Sequence, residues 1–200
     1  MILALLLVPT LAGGLAYVLR QDVARRGLLL LAAVGHVVLT SATWVRDPAP
    51  LWGGWLALDA VGQLILSITS GLFLACAVYA VGYLRREGRG VRTDVDEGFL
   101  FDNAPEATFT ACLLLFLAAM TLVTVSQRFG LLWVAVEATT LVSAPLIYFH
   151  RHHRSLEATW KYLLICSVGI AIALLGNFFL AVAAAGSGGT PLPLVVQDLV

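Results

Sequence analysis

Charge is scarce in this sequence. Asp, Glu, Lys and Arg together make up 12% of its 200 residues, whereas about a quarter is usual for a soluble domain. Hydrophobic residues make up 60% of the chain, and its mean hydropathy is +0.92. Such a composition excludes an ordinary soluble domain. The longest polar segment, residues 85–106, mixes basic and acidic residues too evenly for a nucleic-acid site, so no nucleic-acid partner is expected.

Cysteine pairs, histidine pairs and nucleotide-binding motifs are also missing. The three cysteines lie alone in different apolar runs, which excludes a disulfide framework and a CxxC metal site. His36 is the only histidine inside a predicted span, so the histidine pair that a haem of the cytochrome b kind requires is absent. There is no P-loop, dinucleotide fingerprint or nucleophile–base constellation. We therefore expect no catalytic residue, no metal and no cofactor in this chain.

Long apolar runs dominate the sequence. Six of them, each of about the 20 residues that a helix needs to cross a bilayer, cover residues 1–19, 27–45, 60–84, 107–127, 129–149 and 156–184. Runs of this length are too long for barrel strands, so the pattern predicts an all-α polytopic helical bundle in the lipid bilayer. The first run follows Met1 directly, without a basic segment before it, which favours a retained span over a cleaved signal peptide.

The arginines are distributed unevenly over the predicted loops. The loops after the first, third and fifth runs carry nine of them: Arg20, Arg25, Arg26, Arg85, Arg86, Arg89, Arg92, Arg151 and Arg154. The intervening loops carry only Arg46 and Arg128. Because positive residues accumulate on the cytoplasmic side, the bias predicts that both termini face outward.

The polar segments have plain interpretations. Loop 85–106 mixes four arginines with six acidic residues, which favours a solvated connector, although a docking surface for a cytoplasmic partner is the alternative. His150, His152 and His153 adjoin Arg151 and Arg154, which favours a basic cap at the lipid headgroups over a metal site. The tail 186–200 is apolar after its glycines and is suited to lie along the membrane surface.

One carboxylate, Glu137, lies near the middle of the otherwise uncharged run 129–149. A charge at that depth costs about 2.5–3.5 kcal/mol on insertion scales, so residues of this kind are usually retained for function. The position predicts a group that carries a proton or an ion. The alternative is a structural glutamate that bonds to the hydroxyl of Thr139 or Thr140 or to another helix.

Lys161 is the second candidate, about one turn into the sixth run. Its long stem allows it to snorkel to the interface, and the functional alternative is a proton-path cation near Glu137. The spacing leaves a direct Glu137–Lys161 pair open.

Four residues are possible supporting groups. Asp59 precedes the third run and is placed to cap its helix, and Glu157 follows a predicted Ser155 cap at the start of the sixth. Pro145 frees a backbone carbonyl near Leu141 and favours a kink. Thr140 carries a hydroxyl group close to Glu137 in the sequence.

The fifth and sixth runs carry a family resemblance. Residues 130–143, GLLWVAVEATTLVS, and 155–169, SLEATWKYLLICSVG, resemble helices five and six of the antiporter-like subunits of complex I and its relatives. Asp59 and the stretch YAVGY at 79–83 fit the same pattern. The likeness is closest to the hydrogenase-4 component F and formate hydrogenlyase type.

This resemblance implies a proton-translocating membrane subunit of a redox-driven complex, of hydrogenase or NADH/quinone oxidoreductase type, in the bacterial inner membrane. It implies that Glu137 is the fifth-helix channel glutamate and that Lys161 lies along the same half-channel. Redox cofactors are expected in other subunits, which are the partners. The alternatives are a subunit of a multisubunit cation/proton antiporter, a relative coupled to inorganic-carbon uptake, or a truncated scaffold that does not transport.

Members of the family have roughly fourteen helices, with two inverted repeats. The resemblance therefore implies that this sequence is an N-terminal part: a three-helix segment over 1–106, the start of the proton-channel repeat over 107–185, and an outward tail over 186–200. The family's lysine on helix seven is expected beyond Val200.

Overall fold

Six helices make up most of the fold. The computed structural model describes residues 1–87, 92–93 and 100–186. Its helices are α1 (Ile2–Val18), α2 (Asp22–Thr43), α3 (Ala60–Arg86), α4 (Glu106–Val125), α5 (Phe129–Ile147) and α6 (His153–Gly186). Between α3 and α4, the two-residue strands β1 (Arg92–Thr93) and β2 (Leu100–Phe101) pair antiparallel. The predicted all-α class and the six helices are confirmed.

The helices are those of a multi-pass membrane protein. Five of them, α2 to α6, are long and apolar enough to cross a membrane, and α1 is a shorter apolar helix of 17 residues. The exposed side of α1 carries leucines at four-residue spacing: Leu3, Leu7, Leu11 and Leu15. Positions four residues apart share one face of a helix, so these leucines form a continuous apolar stripe.

The helix limits differ from the predicted spans at polar residues. α6 begins at His153, three residues before the predicted start, so Ser155 lies inside the helix and the prediction that it caps α6 is wrong. α2 begins at Asp22 and α4 at Glu106, because polar residues extend both helices beyond their apolar runs.

Helices α1 to α4 form the packed centre of the structure. α1 packs mainly against α4, and α2 packs mainly against α3. The core is rich in alanine and consists of Ala12, Ala16, Leu29, Ala32, Ala33, Phe73, Ala77, Ala80, Val81, Leu114 and Leu117. Small residues allow membrane helices to approach closely, which replaces the hydrophobic driving force that lipid removes.

Helices α5 and α6 lie at the side of this centre. α5 packs against α4, and α6 packs against α5. Only Ala135, Thr140 and Ala144 of α5 are buried, and most described side chains of α6 are exposed. A large part of α5 and α6 therefore faces the surroundings of this chain.

The connections after α1, α3 and α5 meet at one end of the bundle, which we name the arginine end. Arg26 near the start of α2 donates to the Leu84 carbonyl near the end of α3, at 2.9 Å. The Ala104 amide donates to the Phe149 carbonyl at 2.7 Å, which brings the α5–α6 connection to the start of α4. The three loops that carry nine of the arginines thus lie at the same end of the bundle. The location of this end on the cytoplasmic side stays a prediction. Residues 88–91 and 94–99 of the predicted connector, and 187–200 of the predicted tail, lie outside the described residues.

At the opposite end, Asp59 caps α3. Its side chain accepts a hydrogen bond from the Gly62 amide at 2.9 Å, the role that the sequence favoured. A Cβ atom at Gly62 would lie 2.6 Å from the Asp59 carboxylate and 2.9 Å from the Thr124 carbonyl of α4. Glycine at this position therefore permits the cap and the close approach of α3 to α4.

Gly62→Ala should destabilise the protein, because the added methyl group meets a backbone carbonyl that cannot move freely. Gly71→Ala, in the same helix, is the matched control, since nothing lies within 4 Å of its Cβ position. We expect a lower midpoint of thermal unfolding in detergent for Gly62→Ala and an unchanged or higher one for Gly71→Ala, because alanine is the better helix former by about 1 kcal/mol. Equal midpoints for the two variants would contradict this account.

Candidate functional site

Glu137 lies at the centre of α5, the ninth of its 19 residues. At a rise of 1.5 Å per residue, it is about 12 Å from the start of the helix and about 15 Å from its end. The side chain is half-buried. On the helix surface it lies between Thr140 and Ala144, which are buried, and Val134 and Leu141, which are 51% and 55% exposed. Glu137 therefore lies where the covered face of α5 meets its open face.

The nearby hydroxyl groups do not bind the Glu137 carboxylate. Thr139 Oγ1 donates to the Val136 carbonyl at 2.7 Å, and Thr140 Oγ1 donates to the backbone carbonyl of Glu137 at 2.8 Å. Within residues 1–87, 92–93 and 100–186, no hydrogen bond or ion pair engages the carboxylate itself. The alternative of a structural glutamate bonded to Thr139 or Thr140 finds no such bond in the structure.

Two hydrogen bonds fix the register of α5 against α6. Trp133 Nε1 donates to the Ile170 carbonyl at 3.0 Å, and the hydroxyls of Ser143 and Tyr162 bond at 2.8 Å. Glu137 precedes Ser143 by six residues, about 9 Å along the axis. Lys161, which adjoins Tyr162, is therefore about 9 Å nearer to the arginine end than Glu137.

Lys161 has a different partner from the one that the sequence left open. Its ammonium group forms an ion pair with Glu157, four residues earlier on α6, and the two side chains are 68% and 61% exposed. No ion pair joins Lys161 to Glu137 in the described part of the chain. The interpretation of Glu157 as an end-capping carboxylate is wrong, because α6 begins at His153 and its first turn contains no acidic residue.

Pro145 lies inside α5 without interrupting it. The helix continues to Ile147, so Pro145 does not end it, and the kink that Pro145 favours stays a prediction. Proline has no amide hydrogen for the carbonyl four residues earlier, that of Leu141. The Ser143 hydroxyl donates to the Thr140 carbonyl at 2.9 Å, which satisfies a neighbouring backbone group.

His150, in the connection between α5 and α6, forms hydrogen bonds to two side chains. His150 Nδ1 lies 2.7 Å from the Asn103 side-chain oxygen, and its Nε2 lies 3.1 Å from the Tyr83 hydroxyl. Among the described residues, no group of three or more His, Cys, Asp or Glu side chains is placed to hold a metal ion.

Two arginines at the arginine end have roles that the charge count did not show. Arg26 forms a bidentate pair with Glu106 of α4, with distances of 2.7 and 2.8 Å, and the two side chains are 16% and 10% exposed. Arg25 donates to the carbonyl of Ala16 at 3.0 Å and to that of Leu19, and it pairs with Asp22 at 2.8 Å. These arginines therefore join α2 to the ends of α1, α3 and α4.

Arg26→Gln should destabilise the bundle, because it removes the cation that binds the Glu106 carboxylate through two hydrogen bonds. Loss of one partner from a buried ion pair costs on the order of 3 kcal/mol. Arg20→Gln removes an equal charge from an exposed position just before α2 and is the control. Unfolding in a graded series of denaturing detergent measures both, and an equal stability of the two variants would refute the structural role of the pair.

Comparison with known proteins gives one informative relative. No family model matches the chain. The chain is 29% identical over 157 residues to the Hydrogenase-4 component F homolog of Methylacidiphilum infernorum (isolate V4), an alignment that covers 77% of this chain. It covers 29% of the relative, so the chain spans less than a third of the length of the curated protein that it matches. The predicted resemblance to hydrogenase-4 component F is confirmed at the level of sequence similarity.

Proposed function

We propose that this chain is part of a proton-translocating membrane subunit of a redox-driven complex, of hydrogenase or NADH/quinone oxidoreductase type, in which Glu137 carries or gates protons. The observation that supports this most strongly is the Glu137 carboxylate at the middle of α5, which has no bonding partner in the described chain. The similarity to a hydrogenase-4 component F homolog indicates the class of complex.

The position of Glu137 supports a role in transfer more than one in stability. A buried carboxylate that only stabilises a fold has hydrogen-bond or ion-pair partners within that fold, because an unpaired polar group in lipid costs several kcal/mol. Glu137 instead borders the open face of α5, beside Val134 and Leu141. The hydrogen-bond partner of the Glu137 carboxylate must therefore be water or a polypeptide segment outside the described helices. A carboxylate in such a place can take up a proton on one side and release it on the other.

Lys161 extends the proposed path toward the arginine end. It lies about 9 Å from the level of Glu137 along the α5–α6 pair, which is too far for a direct bond. Its exposed ion pair with Glu157 keeps a cation and a carboxylate near the mouth of the path. Lys161 thus acts as a polar entry residue, and Glu157 neutralises its charge.

The remaining features follow from the same proposal. The arginine end faces the cytoplasm of a bacterial cell and both termini face outward, as the positive-inside rule predicts. Residues 107–185 begin the proton-channel repeat, and other membrane subunits cover α5 and α6. The electron-carrying cofactors belong to those partner subunits.

Glu137→Gln should abolish or sharply reduce proton translocation while electron transfer continues, because the amide cannot exchange a proton. The measurement is the number of protons translocated per electron in inverted vesicles that contain the complete complex. Asp47→Asn is the control, since it removes an exposed carboxylate from the connection between α2 and α3, away from the proposed path.

An unchanged proton yield in Glu137→Gln would refute the assignment and would support the scaffold alternative. A complex that moves protons only against a sodium or potassium gradient, without an electron donor, would support the antiporter alternative.

Lys161→Gln should slow proton translocation several-fold, whereas Lys161→Arg should keep most of it, because the path needs a cation at that level. The same vesicle measurement tests both variants. If Lys161 only snorkels to the interface, the glutamine variant will translocate at the parent rate.

A further inference from the structure

A second ionisable side chain lies inside the membrane part of the bundle, away from Glu137. His36 is on α2 and is completely buried, with 0% exposure. It precedes Thr43, the last residue of α2, by seven residues, so it lies about 10 Å from the helix end opposite the arginine end. The sequence provided no partner for it.

Three hydroxyl-bearing residues from three helices surround the imidazole ring. Its Nδ1 lies 2.9 Å from Ser70 Oγ of α3, and its Nε2 lies 3.0 Å from Thr121 Oγ1 of α4. Thr40 Oγ1, one turn along α2, lies 2.9 Å from Ser70 Oγ. These three side chains are at most 2% exposed. Both ring nitrogens are therefore engaged in a water-excluded junction of α2, α3 and α4.

The number of hydrogens available at this junction depends on whether the imidazole ring is charged or neutral. Ser70 Oγ is 2.7 Å from the Leu66 carbonyl and Thr121 Oγ1 is 2.8 Å from the Leu117 carbonyl, the usual back-bonds of serine and threonine in helices. A hydroxyl has only one hydrogen to donate. If both hydroxyls donate to these carbonyls, both ring nitrogens must donate to the hydroxyls, and only an imidazolium can do so.

The neutral ring requires a different arrangement. It has one nitrogen that accepts, so either Ser70 or Thr121 must turn its hydrogen from the backbone carbonyl toward the ring. In the neutral state that carbonyl keeps its helix amide bond, so the two charge states differ in the direction of one side-chain hydrogen bond. Burial opposes the charge, and two charge-assisted hydrogen bonds favour it.

We propose that His36 is a proton-binding residue within the membrane, and that binding of the proton reverses the hydrogen bond between its ring and the hydroxyl of Ser70 or Thr121. The ligand is the proton itself, and the site is formed by α2, α3 and α4 together. It shares no residue with the α5–α6 pair, so it does not depend on the function proposed for Glu137.

The charged and titratable groups of the packed helices lie away from the ring. On α2 they are Asp22, Arg25 and Arg26 at the arginine end, and on α4 they are Glu106 at that end and Cys112. On α3, Cys76, Tyr79, Tyr83, Arg85 and Arg86 follow Ser70 toward the arginine end, and Asp59 caps the other end; α1 contributes Tyr17 and the amino terminus. Burial and the hydroxyl partners, rather than a counter-ion on these helices, therefore determine the proton affinity of His36.

The test is magic-angle-spinning NMR of the full chain in lipid vesicles, with nitrogen-15 in the histidine rings. Comparison with His36→Gln identifies the His36 signals among those of the four histidines. We expect the ring to change from one N–H to two N–H groups as the pH is lowered from about 9 to about 3, because a low pH favours the charged form.

Thr121→Val retains the shape of the side chain and removes the acceptor at Nε2. Its protonation midpoint should fall by about one pH unit or more, the effect of losing one hydrogen bond to a charged group. Thr121→Ser should restore the midpoint. Thr124→Val is the control, because Thr124 bonds only to the Thr121 carbonyl and not to the ring.

A ring that keeps a single N–H throughout the pH range would overturn the proposal, as would equal midpoints in Thr121→Val and Thr124→Val. If Thr121→Val does not fold, Ser70→Ala removes the corresponding acceptor at Nδ1. The same fall in midpoint is expected for it, and an unchanged midpoint would overturn the proposal.

Discussion

The hydrocarbon core of a bilayer contains no water to satisfy polar groups, and this constraint accounts for most of the polar contacts in the structure. Backbone groups are satisfied within helices, and the hydroxyls of Thr10, Ser67 and Thr159 bond back to carbonyls four residues earlier. Arg25 donates hydrogen bonds to carbonyl groups at the end of α1. Arg26 of α2 forms an ion pair with Glu106 of α4. These polar side chains are therefore bonded either to the backbone of their own helix or to a neighbouring helix.

His36 and Glu137, both inside the membrane part of the bundle, have opposite surroundings. His36 has a partner at each nitrogen and no exposed surface, so its chemistry is contained in α2, α3 and α4. Glu137 has no partner among the described residues and borders an open helix face. The site at His36 can be studied in this chain alone, whereas the role proposed for Glu137 requires the complete complex.

The sequence predicted those features that depend on local or average properties. Hydropathy located the six helices, and Asp59 was identifiable as a cap because its bond to Gly62 spans only three residues. Helix limits were missed where polar residues such as His153 and Glu106 continue a helix beyond its apolar run. The Glu157–Lys161 pair was open to prediction from its four-residue spacing. The contact of Arg26 with Glu106, 80 residues away, was not, because only helix packing brings the two together. The same is true of the partners of His36.

The length of α1 has a consequence for the lipid around the protein. Seventeen residues of helix measure about 26 Å, whereas the hydrocarbon core is about 30 Å thick. The side of α1 with Leu3, Leu7, Leu11 and Leu15 is exposed, so it is accessible to the acyl chains of lipids. A span that is too short is accommodated when the adjacent bilayer becomes thinner, at a cost of a fraction of a kcal/mol per Å. Phospholipids with shorter acyl chains would therefore fit beside the leucine stripe of α1 at a lower cost than those with longer chains.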